Sequence, residues 1–349
     1  MSSSLDRIHT QILWDRLLAV VEEQAQTLVR TAFSTTVREA GDISAGVFDT
    51  GGRMLAQAVT GTPGHVNAMA ASVGFFLHKF PIGTLHPEDV LLTNDPWYGT
   101  GHLNDFTVIT PVFRHGRPVA LFAATSHIAD VGGLGFGPDG RQVFEEGLNI
   151  PMGYLFKAGR PNEVLLEILR ANVRDPMSAE GDLHSLAACN RAGVNSLLET
   201  MDEFGMDDLD HAGRTIIENS RRAMLDEIRK LPFGRWDNTM RIDGYDDPVD
   251  LVCSLSIGED GIDVDFSGTS PVCSHGINVP LTYTQAYASF GVRCVVGNDI
   301  PNNAGSLGVV RVGAPEGCIL NAHRPAAVSA RHAIGQMLPD VVLGCLEEP

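Results

Sequence analysis

The N-terminal segment carries apolar side chains at intervals of three and four positions. Residues with this spacing lie on one face of an α-helix. The pattern therefore predicts one long amphipathic helix at the N-terminus, with an apolar face made of Ile8, Ile12, Leu17, Val21, Ala25, Leu28, Val29 and Ala32.

Shorter apolar runs follow this helix. The segment "ISAGVFDTGGRMLAQ" predicts a β-hairpin with its turn at Asp49 to Gly52. "HVNAMAASVGFFLHKF" predicts a second helix, and "EDVLLTND" is typical of a short buried strand that runs into the polar loop "NDPWYGTGHLND". From residue 134 to the next helix, "EVLLEILRANVR", the sequence predicts mainly loop.

The second half of the chain begins with helical patterns and continues with strands. Residues 181–231 are predicted to be mostly helical, and "VDLVCSLSIGEDGIDVDFSG" predicts a hairpin that turns at Glu259, Asp260 and Gly261. "YTQAYASFGVRCVV" predicts a helix and "GVVRVGAP" a strand. Because strands and helices do not alternate regularly, we expect an α+β fold with mixed and antiparallel sheets. We expect three parts: an N-terminal α+β part (1–180), a helical block (181–235) and a second α+β part (236–349).

The composition narrows the classes of function. The chain has 349 residues and a formal net charge of −18, which disfavours binding to nucleic acid or to anionic membranes. No apolar run approaches the roughly 20 residues of a membrane span, and the N-terminus lacks the pattern of a signal peptide. Six cysteines without C-x-x-C spacing predict reduced, mostly buried thiols. We therefore expect a cytoplasmic protein.

Two strand-like segments, "FTVITPVF" and "PVALFAAT", are separated by "RHGR" and predict a hairpin. A two-residue loop at His115 and Gly116 would place Asp105 and His127 on opposite faces unless a bulge intervenes. A three-residue loop, His115 to Arg117, would pair His127 directly with Asp105. A shared site therefore favours the three-residue loop, and in either case His127 returns to the end of the hairpin where His102 and Asp105 lie.

Two histidines and one aspartate at a strand end suit a divalent transition metal such as Zn, Mn or Fe. The alternative is that these polar residues only cap backbone groups. Other motifs are weaker. The glycine-rich segment "GGLGFGPDG" is interpreted as a flexible loop, and His275 and His332 as structural residues. The sequence contains neither a Walker motif nor a G-x-S-x-G nucleophile elbow.

Ordered blocks along almost the whole chain resemble the hydantoinase B family. This family is the B-type half of ATP-dependent 5-oxoprolinases and N-methylhydantoinases, and it is shared with caprolactamase and with acetone and acetophenone carboxylase subunits. The blocks that carry the resemblance include "LVRTAFSTTVREAGDISAGVFDTGGRMLAQA", "GTPGHVNAMAASV", "NDPWYGTGHLNDFTVITPVF", "TSHIADVGG", "EEGLNIP", "NVRDPMSAEGDL", "DFSGTSP" and "IPNNAGSLGVVRVGAPEGCILN".

The resemblance implies a metal site with Asp42, His102, Asp105 and His127 as ligands, and His65 and Asp130 in the surrounding pocket. It also implies a hetero-oligomer in which an A-type subunit binds ATP and phosphorylates the substrate, while this B-type chain completes hydrolysis of a cyclic amide. Alternative functions are a subunit of an acetone- or acetophenone-type carboxylase, or a degenerate, non-catalytic subunit. Two features depart from the family pattern. Ile128 stands where many hydrolase members have a second histidine, and the chain ends soon after "DVVLG", which suggests a truncated or split gene product.

Overall fold

The N-terminal half of the chain builds a seven-stranded antiparallel sheet. The computed structural model describes residues 4–346, with side chains from His9 onward, so the burial of Ile8 lies outside the described residues. The strands of this sheet are β1 (Ile43–Phe48), β2 (Met54–Gln57), β3 (Val90–Thr93), β4 (Asp105–Arg114), β5 (Arg117–His127), β6 (Gly153–Lys157) and β7 (Arg160–Pro161). Their spatial order is β2-β1-β5-β4-β3-β6-β7.

Helices cover both faces of this sheet. They are α1 (Ser4–Thr31), α2 (Thr35–Arg38), α3 (Pro63–Lys79), α4 (Glu163–Asn172) and α5 (Pro176–Glu203), with short 3₁₀ helices at Ile82–Thr84 and Val143–Glu145. Helices α1 and α5 pack on the face that carries Val108 and Phe122, and α3 packs on the face that carries Ile109 and Leu121. Because both faces are buried, β4 and β5 read as nearly continuous apolar runs.

The second half of the chain builds a four-stranded mixed sheet. Its order is β11-β10-β9-β8, in which only β10 and β11 are parallel. The elements of this half are α6 (Asp210–Ile228), β8 (Gly234–Ile242), β9 (Val249–Gly258), β10 (Gly261–Asp265), α7 (Leu281–Val295), α8 (Ala304–Leu307), β11 (Val310–Gly313), α9 (His332–Gly335) and α10 (Leu338–Gly344). Buried and half-exposed residues alternate along β9, so only one face of this sheet is fully buried.

A segment of the second half, residues 320–332, returns to the first sheet. The Trp97 indole Nε1–H donates to the carbonyl of Ala322 at 2.7 Å. The backbone N–H groups of Val328 and Ser329 both donate to Glu146 Oε1 at 2.7 Å. Glu146 is buried, so these bonds fix the returning segment against the first sheet.

These elements confirm the predicted α+β class with mixed and antiparallel sheets and a long N-terminal helix. Strands β6 to β8 were not predicted, because they are short or carry mostly polar residues. All six cysteines are free, and four of them are buried. Among the described residues, no helix is both long enough and apolar enough to cross a bilayer. The three-part division at residues 180 and 235 stays a prediction.

One residue of the predicted apolar face of α1 lies at the surface, since Ile12 is 48% exposed. Helix α5 covers α1 in the antiparallel direction, and Arg16 pairs with Glu203, the last residue of α5, at 2.8 Å. The neighbouring Leu13 is 2% exposed and takes the core-facing position at this turn, so Ile12 lies on the exposed side of α1 with Arg16, one turn later.

The loop between β4 and β5 differs from the predicted three-residue loop. Arg114 pairs with Arg117, so His115 and Gly116 form a two-residue turn, with φ of 50° and 77°. Two positive φ angles are typical of the type I′ hairpin turn. A bulge between Val112 and Phe113 then shifts the register, and Asp105 pairs with His127. The predicted pairing is present, but a bulge produces it rather than a longer loop.

Candidate metal centre

Three of the predicted ligands lie side by side at one end of the first sheet. Asp105 is the first residue of β4 and pairs with His127, the last residue of β5. Strand β1 pairs with β5 so that Ile43 lies opposite Ser126, and the backbone N–H of His127 donates to the carbonyl of Asp42 at 3.2 Å. Antiparallel pairing therefore places Asp42, His127 and Asp105 in one row across three neighbouring strands.

Two more histidines reach this row from outside the sheet. His102 lies in the loop before β4, with its Nε2 2.7 Å from Asp105 Oδ1. His65 lies in the first turn of α3, with its Nε2 3.0 Å from Asp105 Oδ2 and 3.6 Å from Asp42 Oδ1. His65, His102 and Asp105 are each only 1% exposed. The structure thus brings the four predicted ligands and His65 together.

The loop that carries His102 needs a glycine at position 101. Gly101 has a φ of +95°, which side chains rarely allow. A Cβ at this position would lie 2.7 Å from Cδ of Arg331 and 3.0 Å from Cβ of Tyr283. Only glycine lets the loop pass close enough to bring His102 to Asp105.

The hydrogen bonding of His102 leaves one ring nitrogen available to a ligand. Its Nδ1 lies 3.1 Å from the carbonyl oxygen of Ser329, so it is Nδ1 that carries the proton and donates. The opposite nitrogen, Nε2, is buried and has no hydrogen-bond partner. Its lone pair faces Asp105 Oδ1, which is also only an acceptor when ionised. Such a backbone-anchored imidazole is the usual arrangement of a metal-binding histidine.

The two oxygens of Asp105 have different surroundings. Oδ2 accepts hydrogen bonds from Thr100 Oγ1 at 2.5 Å and from Arg331 Nη2 at 2.6 Å. Oδ1 faces His102 Nε2 and also lies 3.2 Å from His127 Nδ1. One oxygen is therefore held by donors, and the other points toward the two predicted histidine ligands.

The protonation states of His102 and Asp105 are those that a cation requires. Burial and the nearby charge of Arg331 lower the pKa of His102 to about 3, so its ring is neutral. Burial by itself raises the pKa of Asp105, but His102, His65 and Arg331 together hold that pKa well below its usual range. A neutral imidazole beside an ionised carboxylate is the form in which these side chains bind metals.

This donor set fits a divalent cation. One ligand atom from each of His102, Asp105 and His127 lies within 4.8 Å of the other two. Asp42 adds a second carboxylate, whose Oδ2 lies 3.8 Å from His127 Nδ1. Mixed nitrogen and oxygen ligands of this kind suit Zn, Mn or Fe. The unpartnered, buried Nε2 of His102 is the observation that a capping role for these residues does not explain.

A cavity of about 400 Å³ opens beside these residues. Asp42, His65, His102, His127 and Arg331 form its polar side. The remaining wall is mostly aromatic and contains Thr36, Thr62, Phe136, Tyr283, Tyr287 and His332. A volume of this size accommodates a small molecule.

Asp130 lies apart from this group. It is not among the residues that line the cavity, and its carboxylate accepts hydrogen bonds from the backbone N–H groups of Gly132 and Arg174 and from the Arg174 guanidinium. Its contacts support the loop that follows β5 rather than the metal centre.

Three residues of the site had no functional signal in the sequence. Arg331 and His332 come from the returning segment, more than two hundred positions from Asp105 in the chain. Tyr283, on α7, lies under the Arg331 guanidinium, and the distance from Arg331 Cζ to the centroid of the Tyr283 ring is 4.0 Å. The sequence pattern indicated a structural role for His332, yet this residue lines the cavity.

The comparison with protein families covers nearly the whole chain, because residues 6–349 match the model described as Hydantoinase B/oxoprolinase. Among curated proteins, one from Pseudomonas sp., provisionally named as the B-type subunit of a D-/L-hydantoinase, is 28% identical over 99% of this chain and 62% of its own length. The 5-oxoprolinase 1 of Arabidopsis thaliana is 30% identical over 97% of this chain and 29% of its own length. The chain thus spans less than two thirds of these relatives.

Two solved structures share the fold. The ATP-dependent caprolactamase from Pseudomonas jessenii superimposes with a TM-score of 0.90 at 24% identity, covering 99% of this chain and 60% of that one. A nucleotide-free acetone carboxylase superimposes with a TM-score of 0.85 at 19% identity, covering 93% of this chain and 46% of that one. At these identities the similarity establishes the architecture.

Proposed function

The chain belongs to the hydantoinase B/oxoprolinase family, and from this premise we propose that it is the B-type subunit of an ATP-dependent hydrolase of cyclic amides. The observation that carries the proposal is the buried donor set at the end of the first sheet. His102 Nε2 and Asp105 Oδ1 face each other at 2.7 Å, with no proton donor for Nε2. A divalent cation bound between these two atoms would account for this arrangement.

Asp42, His102, Asp105 and His127 would hold the cation. Bound there, a divalent metal supplies Lewis acidity toward a substrate oxygen. The named relatives support the type of substrate, because hydantoinase, 5-oxoprolinase and caprolactamase are all named for cyclic amides.

The protein's own residues position this site. Ser329 fixes the tautomer of His102, and Arg331 and Thr100 fix one oxygen of Asp105. Thr62 Oγ1 donates to Asp42 Oδ1 at 2.7 Å, which orients the second carboxylate. The aromatic rings that line the cavity add an apolar surface beside these polar groups.

ATP is expected to bind to a partner. The sequence contains no Walker motif. The caprolactamase is described as ATP-dependent, and the Pseudomonas hydantoinase chain is named as one subunit of its enzyme, which supports a two-component system. We propose that an A-type ATPase subunit phosphorylates the amide oxygen and releases ADP, and that this chain, in a cytoplasmic hetero-oligomer, completes ring opening. Water adds to the activated carbon, the C–N bond breaks to free the amine, and a second water releases inorganic phosphate from the acyl phosphate.

The test combines this chain with the A-type subunit from the same genome and measures ATP-dependent opening of hydantoin, 5-oxoproline and caprolactam. We expect turnover, one transition metal per chain, and a loss of about a hundredfold in the Asp105→Asn variant. Asp263→Asn is the control, because Asp263 is an exposed aspartate that pairs with Arg311. Its activity should equal that of the wild type.

Two other results would replace the proposal. Bicarbonate-dependent consumption of acetone or acetophenone, without ring opening, would identify a carboxylase subunit, which the acetone carboxylase fold similarity makes the second candidate. A chain that binds no metal and supports neither reaction would be a non-catalytic subunit.

A further inference from the structure

The aromatic ring of Phe136 lies on the candidate metal centre. Its centroid is 5.2 Å from that of His127 and 5.6 Å from that of His102, both in edge-to-face geometry. On its other side it stacks on His332, with centroids 5.0 Å apart and planes inclined by 15°. One apolar ring therefore contacts two of the proposed ligands and the aromatic wall of the cavity.

Phe136 is nevertheless half open to solvent. It is 51% exposed, whereas His102 beneath it is 1% exposed and His127 8%. A large apolar side chain at this level of exposure is held weakly, since half of its surface gains nothing from burial. The Phe136 ring covers His102 and His127 but is not itself part of a hydrophobic core.

The backbone around Phe136 has few restraints between two fixed points. The N–H of Leu134 donates to the carbonyl of Glu145 at 2.9 Å, and the carbonyl of Pro138 accepts from the N–H of Gly276 at 2.8 Å. Between these points, no backbone hydrogen bond among the described residues involves Gly135, Phe136 or Gly137. Both glycines border open space, because a Cβ added at either position would have no atom within 4 Å.

We propose that Gly135–Phe136–Gly137 is a lid on the candidate metal centre and that Phe136 determines specificity by lying against the apolar face of a ring-shaped substrate. The proposal rests on the proposed function, since it names the kind of substrate that the same site takes. Rotation at the two glycines moves the ring away from His127 and His332, which opens the cavity. Its return covers the bound substrate and limits exchange with bulk solvent.

The cavity favours a compact ring with one polar edge. Its lining combines the polar groups of Asp42 and the proposed histidine ligands with the rings of Phe136, Tyr287 and His332. Arg331 is engaged by Asp105 and by the carbonyl of Thr100. A cyclic amide meets these conditions, because its carbonyl edge is polar and its ring carbons are apolar. A linear molecule without a ring does not.

The lid is tested first on the metal-free chain, without any substrate. Diethyl pyrocarbonate modifies accessible, uncharged histidines, and peptide mapping gives the rate at each one. In Phe136→Ala we expect His127 and His332 to react about tenfold faster than in the wild type. Phe144→Ala is the matched control, since Phe144 is 71% exposed and makes no ring contact with a histidine among the described residues. Equal rates in Phe136→Ala and the wild type would overturn the lid.

The specificity role is tested in the assembled enzyme on the cyclic amide that the wild type opens. Phe136→Ala should raise KM about tenfold with unchanged metal content. Phe136→Leu, which keeps an apolar side chain, should have a KM close to that of the wild type. Circular dichroism of both variants excludes misfolding as the cause. An unchanged KM would overturn the specificity role. If the wild type opens no ring, the proposed function and this role fail together, while the labelling rates still decide whether the lid exists.

Discussion

Replacing Arg331 with methionine tests whether the returning segment holds the candidate metal centre in place. Arg331 is buried, with its side chain only 4% exposed. Its Nη2 donates to Asp105 Oδ2 and its Nε to the carbonyl of Thr100, both at 2.6 Å, and its guanidinium lies over Tyr283. Methionine keeps the length of the aliphatic stem and removes both hydrogen bonds and the charge.

The expected loss follows from the burial of Asp105, which is 1% exposed. Breaking a buried ion pair by removing one partner costs about 3–5 kcal/mol, because the other charge stays buried without compensation. Thr100 and His65 still contact Oδ2 of Asp105, so the lower end of this range applies. We expect Arg331→Met to lower the free energy of unfolding by about 3 kcal/mol.

The assay is urea-induced unfolding of the metal-free chain at pH 7, followed by circular dichroism. Arg311→Met is the control, because Arg311 makes an equally short pair with Asp263, but both side chains are about half exposed. Exposed pairs contribute at most about 1 kcal/mol. In the double variant with Asp105→Asn, part of the loss should be recovered, since no uncompensated charge remains. A loss in Arg331→Met no larger than that in Arg311→Met would refute the reasoning.

Four further predictions test other parts of the structure. Burial raises the pKa of Glu146 to about 7, so the folded state binds a proton that the unfolded state has lost. The free energy of unfolding should therefore fall by about 3 kcal/mol as pH rises from about 4.5 to 7. In urea unfolding between pH 5 and 8, Glu146→Gln should flatten this pH dependence, and an unchanged pH dependence would exclude Glu146 as its source. Asn is favoured over His at the first position of a type I′ turn, so His115→Asn should raise stability by about 0.5 kcal/mol; a lower Tm would argue against the observed turn. Gly101→Ala should lower the free energy of unfolding by at least about 2 kcal/mol, because the positive φ of Gly101 and the close approach of Arg331 both exclude a Cβ. A near-wild-type Tm would show that the loop has another conformation. Asp105→Asn should abolish stoichiometric metal binding measured by mass spectrometry, whereas retention of the metal would place the site elsewhere.

The parts of the site that are close in the sequence could be predicted from it. His102, Asp105 and His127 belong to one hairpin and its flanking loop, so the return of β5 beside β4 brings them together whichever turn is used. The apolar character of both strands also agrees with their burial on two sides. Local patterns were sufficient here because the contacts are made between neighbouring elements.

The register of that hairpin was only half predictable. The pair His115–Gly116 favours a two-residue turn, and the structure contains it. The bulge lies where Phe113 pairs with Pro118. Proline has no N–H to donate to the ladder, and a bulge is a common way to accommodate it. Pro118 is therefore a signal in the sequence for the bulge, whereas the idea of a shared site favours the three-residue loop.

The sequence by itself determined the α+β class, the hairpin and the group of chemically suited residues at its open end. The position of Asp42 was implied by the family resemblance, and only the pairing of β1 with β5 puts it beside His127. Only tertiary structure decided that Arg331, Ser329 and His332 complete the site and that Phe136 covers it. The physical reason for Ser329, Arg331 and His332 is that their contacts join segments about two hundred positions apart. Their spacing leaves no periodic pattern along the chain, and packing of the returning segment on Glu146 and Asp105 is what brings them together.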